Sequence, residues 1–280
     1  MRAARPVRSD RPARAVGALA GGVLPTGALP PRARGTRRPA RRRPRRHAAD
    51  APVWLFDLDN TLHHASHAIF PFINRAMTAY ICERLDVARP IADRLRVEYT
   101  RRYGATLLGL VRRHAIDGHD FLHAVHPNEG LAALLRSEYG LRRALARLPG
   151  RRIILTNGAA QYARDVLIGL GIADLFEDIV AVEQMRRGAR WFAKPDALPM
   201  RALLRRLGAS PARTVLVEDT HTHLKRYRRL HLRTVWMTGH LPPRTGGAPH
   251  RTQGRPHYVD LRIASLHQLR AGRGGRPERA

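Results

Sequence analysis

The sequence predicts an α/β fold: a doubly wound parallel sheet with a helical segment inserted after its first strand. Three observations carry that expectation. Short apolar runs recur along the chain, and each stops abruptly at acidic or polar residues. From residue 151 onward these runs alternate with segments of helical periodicity, the pattern of strands joined by crossover helices. Between the first and second runs lie about 84 residues without a convincing strand, far too many for an ordinary crossover.

In chain order, residues 1–50 are low-complexity Arg, Pro, Ala and Gly. Such a segment cannot bury enough apolar area to offset its ordering entropy, and disorder is expected. Residues 53–56 are four apolar residues running into Asp57, too short for a helix and unbroken by polar positions, as in a strand buried on both faces. Helical spacing follows over 68–85, 90–103, 106–116 and 127–148, punctuated by Gly104, Gly118, Pro127 and Pro149-Gly150. Residues 153–156, 178–182, 214–218 and 234–236 read as strands. The helices between them span 159–170, 196–207 and 221–230, the first two closed by Gly171 and Gly208. A Gly-, Pro- and His-rich loop covers 241–257, with a last strand at 258–263 and a turn of helix at 265–269. No internal repeat is present.

Composition narrows the function classes. The formal charge is +29, and 51 residues are Lys or Arg. Residues 1–50 carry 14 Arg and 2 Asp, a net +12 in a segment without aromatics. The other +17 is Arg scattered along helix-like stretches. That distribution points to solvated cations rather than a nucleic-acid surface, so no specific nucleic acid is expected, only non-specific polyanion adhesion at low salt. Lys is used twice, at Lys194 and Lys225. Cys82 stands alone, which excludes an intrachain disulfide and fits a cytoplasmic location. No run approaches the length of a membrane helix, and the block 37–46 of mostly Arg is a poor context for export.

Four strand ends or helix entrances carry chemistry. Asp57-Leu-Asp59-Asn-Thr61 delivers two carboxylates where open α/β sheets bind ligands. Two acids this close repel unless a cation intervenes or one holds a proton. Thr156-Asn157-Gly158 precedes a helix, where a hydroxyl and free amides suit phosphate, although the same residues serve ordinary turns. Lys194 before Pro195 places a compact ammonium at a helix entrance, able to touch both a carboxylate and a phosphoryl oxygen. Glu218-Asp219 ends another apolar strand, and Mg²⁺ favours one or two carboxylates with waters and substrate oxygens.

In that order the four motifs resemble the haloacid dehalogenase superfamily, from about residue 53 to residue 236. Residues 56–62, 69–74, 77–80, 103–107, 148–150, 155–158, 171–176 and 234–236 are further similar to its pyrimidine 5′-nucleotidase-like branch. The resemblance implies a Rossmann-like core at 51–66 and 149–271 with a helical cap at 67–148; beyond it, a disordered tail is expected at 272–280. It implies that Asp57 attacks phosphorus, forming an aspartyl-phosphate, while Asp59 acts as general acid and then base. Mg²⁺ would be held by Asp57, the Asp59 carbonyl and Asp219, assisted by Glu218. Thr156 and the Asn157 amide would bind the phosphoryl group, and Lys194 would steady it. Dehalogenase members lack the second acid, so Asp59 argues for a phosphomonoester substrate.

The expected function is Mg²⁺-dependent hydrolysis of a small phosphomonoester, by resemblance a pyrimidine nucleoside 5′-monophosphate. The alternatives are a sugar phosphate or phosphoglycolate as substrate, or a catalytically silent polyanion-binding protein. Oligomeric state is not written in the sequence. Tyr99, Tyr103, Phe72 and Phe121 are candidates to stack on a base, though aromatics at helical spacing more often pack in a core. His63 stands where the branch commonly has an aromatic residue, His223 where an Asn-Leu pair opens the helix, and His231 where Gly is typical. A histidine metal site from His63, His64, His67, His221 and His223 is less expected than solvated rings.

Overall fold

The computed structural model describes residues 51–127, 130–241, 254–272 and 276–279. The leader 1–50 and most of the loop 241–257 lie outside the described residues. Among those described, no helix is long and apolar enough to cross a membrane.

Six parallel strands form the sheet: β1 (Val53–Phe56), β2 (Arg151–Leu155), β3 (Asp178–Val180), β4 (Thr214–Glu218), β5 (Arg233–Met237) and β6 (Leu261–Ile263). Their order is β3-β2-β1-β4-β5-β6, so the chain steps outward one way from β1 and the other way from β4. Ligands of open α/β sheets bind at such a reversal. Phe56 is in register with Ile154 of β2 and Val217 of β4, which brings Asp57, Thr156 and Glu218 out along one edge.

Every residue of β1 is buried, which explains why its sequence does not alternate. Successive side chains serve different layers. Trp54 and Phe56 join Ile154, Val215 and Val217 in one cluster, whereas Val53 and Leu55 join Ile153, Leu155 and Leu216 in another. Helices α7 (Ala160–Gly169), α8 (Ala197–Leu207) and α9 (His221–Arg228) connect the later strands. Asp196 caps α8 by accepting from the Leu198 amide at 2.8 Å.

Between β1 and β2 come α1 (Ala65–Leu85), α2 (Arg89–Tyr103), α3 (Thr106–His114), α4 (Gly118–Val125), α5 (Leu131–Leu134) and α6 (Leu141–Ala146). The single helix expected over 127–148 is therefore corrected to two short ones. Gly130 and Gly140, at φ 70° and 72°, take left-handed conformations that interrupt the periodic pattern. Helix α4 was not expected; Asp117 starts it by accepting from the His119 and Asp120 amides.

The tail also departs from expectation. Pro277–Arg279 (β8) pairs antiparallel with Leu269–Ala271 (β7), inside the stretch 272–280 expected to be disordered. Composition signals how much core a segment can bury, but backbone pairing at an edge needs little apolar area. His231, standing where Gly is typical, has φ 64°, the left-handed region that explains the usual preference for Gly.

Candidate active site

Asp57 is the first residue beyond β1. Its amide donates to the Val217 carbonyl at 2.9 Å, which continues the sheet by one bond. Its Oδ1 accepts from the Leu58 amide at 2.7 Å and lies 2.7 Å from Lys194 Nζ. The same ammonium lies 2.8 Å from Glu218 Oε2. Lys194 is 1% exposed and Glu218 fully buried, so this pair has left water entirely.

Asn157 holds the lysine's backbone at both ends. Its Oδ1 accepts from the Lys194 amide at 2.7 Å, and its Nδ2 donates to the Lys194 carbonyl at 3.1 Å. Thr156 is buried, and its Oγ1 accepts from the Gly158 amide at 2.9 Å. Asp219 accepts from the Thr220 hydroxyl at 3.1 Å, and Trp236 Nε1 donates to its carbonyl at 2.8 Å. One ligand atom from each of Asp57, Glu218 and Asp219 can be chosen so that all lie within 4.8 Å of one another. The structure thus brings the four motifs to one place.

Their electrostatics follow from burial and from the count of charges. Burial, reinforced by the charge of Glu218, pushes both Asp57 and Asp219 well above the ordinary carboxylate range. Burial alone would raise Glu218 as well, but Lys194 and His223 beside it hold it well below that range. Burial opposes the charge on Lys194, yet Asp57 and Glu218 together raise its proton affinity. Three carboxylates face one ammonium, so the group is built around a missing positive charge.

Asp59 lies to one side of this cluster. Its Oδ1 accepts from the Tyr162 hydroxyl at 2.5 Å and lies 3.1 Å from His63 Nε2. Burial would raise this carboxyl, but those two partners bring it below its ordinary value. His126 packs on the Tyr162 ring at 4.9 Å between centroids. Asn60, at φ 57°, turns the chain between strand and helix. Its Oδ1 accepts from the Ser66 amide, and its Nδ2 donates to the Ser66 hydroxyl. The expectation of solvated histidines is thus corrected at two positions. His63 is fully buried against Asp59, and His223 Nδ1 lies 3.3 Å from Glu218 Oε2. Sequence reasoning missed Tyr162 and His126 altogether, because nothing in their neighbourhoods marks them as neighbours of a residue so far back in the chain.

A cavity of about 390 Å³ opens onto these residues and is walled in part by the inserted helices. Phe70, Ile73, Asn74 and Met77 of α1 and Arg96 and Thr100 of α2 contribute to it. The four aromatics considered from sequence do not line it. Tyr99 and Phe121 are buried in the core, and Phe72 is 36% exposed; Tyr103 packs against Tyr99. Gly104, at φ 90°, approaches the loop of Lys194 so closely that a Cβ there would stand 3.1 Å from the Lys194 carbonyl oxygen.

Residues 53–225 match the haloacid dehalogenase-like hydrolase family. Phosphoglycolate phosphatase of Rhodospirillum rubrum is 30% identical over 182 residues, covering 60% of this chain and 71% of that protein. Phosphate metabolism protein 8 of Saccharomyces cerevisiae is 28% identical over 155 residues, 51% of this chain and 48% of its own length. Two solved structures share the fold at a TM-score of 0.52. One is a HAD phosphatase from Thermococcus onnurineus, 18% identical, covering 78% of this chain and 95% of its own. The other is CbbY from Rhodobacter sphaeroides in complex with phosphate, 19% identical, covering 77% and 95%. With the family match spanning residues 53–225 and the Rhodospirillum rubrum protein aligned over 71% of its length, the chain belongs to the haloacid dehalogenase-like hydrolases.

Proposed function

We propose that this hydrolase cleaves phosphomonoesters through an aspartyl-phosphate on Asp57, and that its substrate is a pyrimidine nucleoside 5′-monophosphate. The observation that carries the chemistry is the buried Lys194 ammonium, 2.7 Å from Asp57 Oδ1, within a cluster that still lacks positive charge. A carboxylate so held is positioned to attack, and the ammonium can accompany the charge onto the phosphoryl oxygens.

In the first step an Asp57 oxygen bonds to phosphorus, the ester P–O bond breaks, and the leaving alkoxide takes a proton from Asp59. Asp59 is charged at rest, and it gains that proton as the incoming phosphate dianion raises its proton affinity. In the second step Asp59 takes a proton from water, the water oxygen bonds to phosphorus, and Asp57 is released as carboxylate. Thr156 Oγ1 and the Asn157 amide bind the transferring group, while the Asn157 side chain fixes Lys194. Glu218 gives Oε2 to Lys194 and His223, so its main part is to seat the ammonium.

The excess of carboxylate fits a divalent cation. Asp57, Asp219 and the Asp59 carbonyl would hold Mg²⁺, and Glu218 would add its charge from behind. When bound, Mg²⁺ supplies charge neutralisation at the phosphoryl oxygens. Without metal, Asp57 and Asp219 keep protons in the folded chain that the unfolded chain, with carboxyls near 3.8, has released. These two carboxyls therefore contribute metal-free stability that grows as pH falls toward their unfolded value, opposed by His126, whose proton affinity burial lowers. Asp59 and Glu218, shifted the other way, withdraw their contribution only at more acid pH. Saturating Mg²⁺ should raise the melting temperature and cancel this trend. Thermal melts with EDTA or Mg²⁺ at several pH values check it: the gain from Mg²⁺ should shrink as pH falls, and a gain independent of pH counts against the site.

The helices at 67–148 would act as a cap over the core, opening to admit substrate and closing to exclude water. The nucleotide assignment rests on the resemblance of the motifs and on the cavity. Its volume of about 390 Å³ lies in the range of sites for drug-sized ligands and is generous for phosphoglycolate. Phe70, Ile73 and Met77 offer an apolar wall, and Asn74, Arg96 and Thr100 a polar one. Phosphoglycolate is the second reading, favoured by the 30% identical relative. A screen of UMP, CMP, AMP, phosphoglycolate and hexose phosphates with Mg²⁺ tests both. The highest kcat/KM is expected for UMP or CMP, with loss of turnover in EDTA. Preference for phosphoglycolate would establish the second reading, and failure to hydrolyse any of them, p-nitrophenyl phosphate included, would remove both.

A further inference from the structure

Among the described residues lining the cavity, two carry a permanent positive charge. Lys194 is spent on Asp57 and Glu218. The other is Arg96, on α2, within the inserted helices. Its Nη1 donates to Asn74 Oδ1 at 2.8 Å, and its Nη2 stands 3.6 Å from Asp93 Oδ1. That Asp93 oxygen is already engaged by the Thr78 hydroxyl at 2.6 Å. The Arg96 carbonyl accepts from Thr100 and Thr106, which anchors the backbone beneath the side chain. Arg96 Nε is buried without a partner, although the side chain as a whole is 22% exposed.

A guanidinium offers donors only and does not lose its proton, so it can be satisfied only by an acceptor. Its carboxylate neighbour is distant and shared, and Asn74 contributes one neutral oxygen. The group is held in position by Asn74 and a loose pairing with Asp93, its Nε still without an acceptor, in a cavity whose other cation is assigned to the phosphoryl end. Such a residue discriminates by what it would leave unpaired, and a ligand without an acceptor at that point is rejected.

Resting on the phosphatase reading above, we propose that Arg96, positioned by Asn74, recognises the leaving group by donating to an oxygen acceptor on the part of the substrate away from phosphorus. The oxygen is a ring carbonyl in a pyrimidine nucleotide or a carboxylate in a short phosphorylated acid. Both sources present the same chemistry, and substrates separate them.

The test measures kcat and KM with Mg²⁺ for UMP, phosphoglycolate and phenyl phosphate, the last having no such acceptor. It uses the full chain, Arg96→Met and Arg96→Lys. In Arg96→Met the ratio of kcat/KM for the acceptor-bearing substrate to that for phenyl phosphate is expected to fall about 10- to 100-fold, mostly through KM. Arg96→Lys, which keeps the charge without the fork, should recover part of that ratio. A fall for UMP identifies the ring carbonyl as the acceptor, and a fall for phosphoglycolate identifies the carboxylate. An unchanged ratio overturns the inference even if overall turnover drops, because a merely structural role would depress all three substrates together. If the unsubstituted chain hydrolyses none of them, the phosphatase reading has failed first and the assignment of Arg96 falls with it.

Discussion

Asp57→Asn is expected to lower kcat for every phosphomonoester by at least about 10³-fold, while the melting temperature holds or rises. The kinetic half follows from the proposed role, since an amide cannot form the acyl phosphate. The stability half follows from the surroundings. Burial and the charge of Glu218 push the Asp57 carboxyl well up, so its ionised form is a burden on the metal-free fold. An amide of the same shape still accepts from the Leu58 amide and still faces Lys194, but it brings no charge. Activity on UMP or p-nitrophenyl phosphate beside a thermal melt in EDTA reads both. Retained turnover would rule out Asp57 as nucleophile, and a collapse in stability would mean that the amide cannot keep the Lys194 contact.

Lys194→Met is expected to damage activity and stability together. The ammonium is the one Lys or Arg side chain paired with the buried acid cluster among the described residues, and it contacts two of the acids directly. Removing one partner of a buried ion pair while Glu218 stays charged costs about 3–5 kcal/mol. For a domain of this size that is a drop of about 10 °C in melting temperature. Turnover should fall about 10²- to 10³-fold, the scale for losing one preorganised contact to developing charge. Glu218→Gln added to Lys194→Met should return part of the stability by removing one of the stranded charges, without restoring turnover. Calorimetry on the two variants checks this, and an unchanged melting temperature in Lys194→Met would show that the cluster has found another counter-charge.

Much of this site was legible because strand ends advertise themselves. A buried strand is a short apolar run, and the polar residue that stops it must stand at the sheet's edge, so Asp57, Thr156 and Glu218 were placed by the chain alone. Lys194 was legible through rarity, in a sequence that otherwise uses Arg. The wall contributed by the inserted helices was not. Periodicity marks which residues of a helix face inward but not what they meet, so nothing singled out Arg96 or Asn74 as cavity residues, and Tyr99 and Phe121 are in the core, the commoner place for aromatics at that spacing. Tyr162 was invisible for the same reason: its link to Asp59 joins the turn after β1 to α7 across 103 positions. The break in 127–148 was announced by Gly130 and Gly140, but the apolar pattern around them outweighed that signal.

Tyr162 and His63 both address Oδ1 of Asp59, and this makes the two oxygens of that carboxyl inequivalent. The group cannot spin about its Cβ–Cγ bond without surrendering both contacts. In the proposed mechanism Oδ2 is consequently the atom left to carry the proton, because Oδ1 is already engaged. On that mechanism the leaving oxygen would meet Asp59 from the Oδ2 side, so the side of the site toward which the alcohol departs is set by Tyr162 and His63 rather than by the inserted helices.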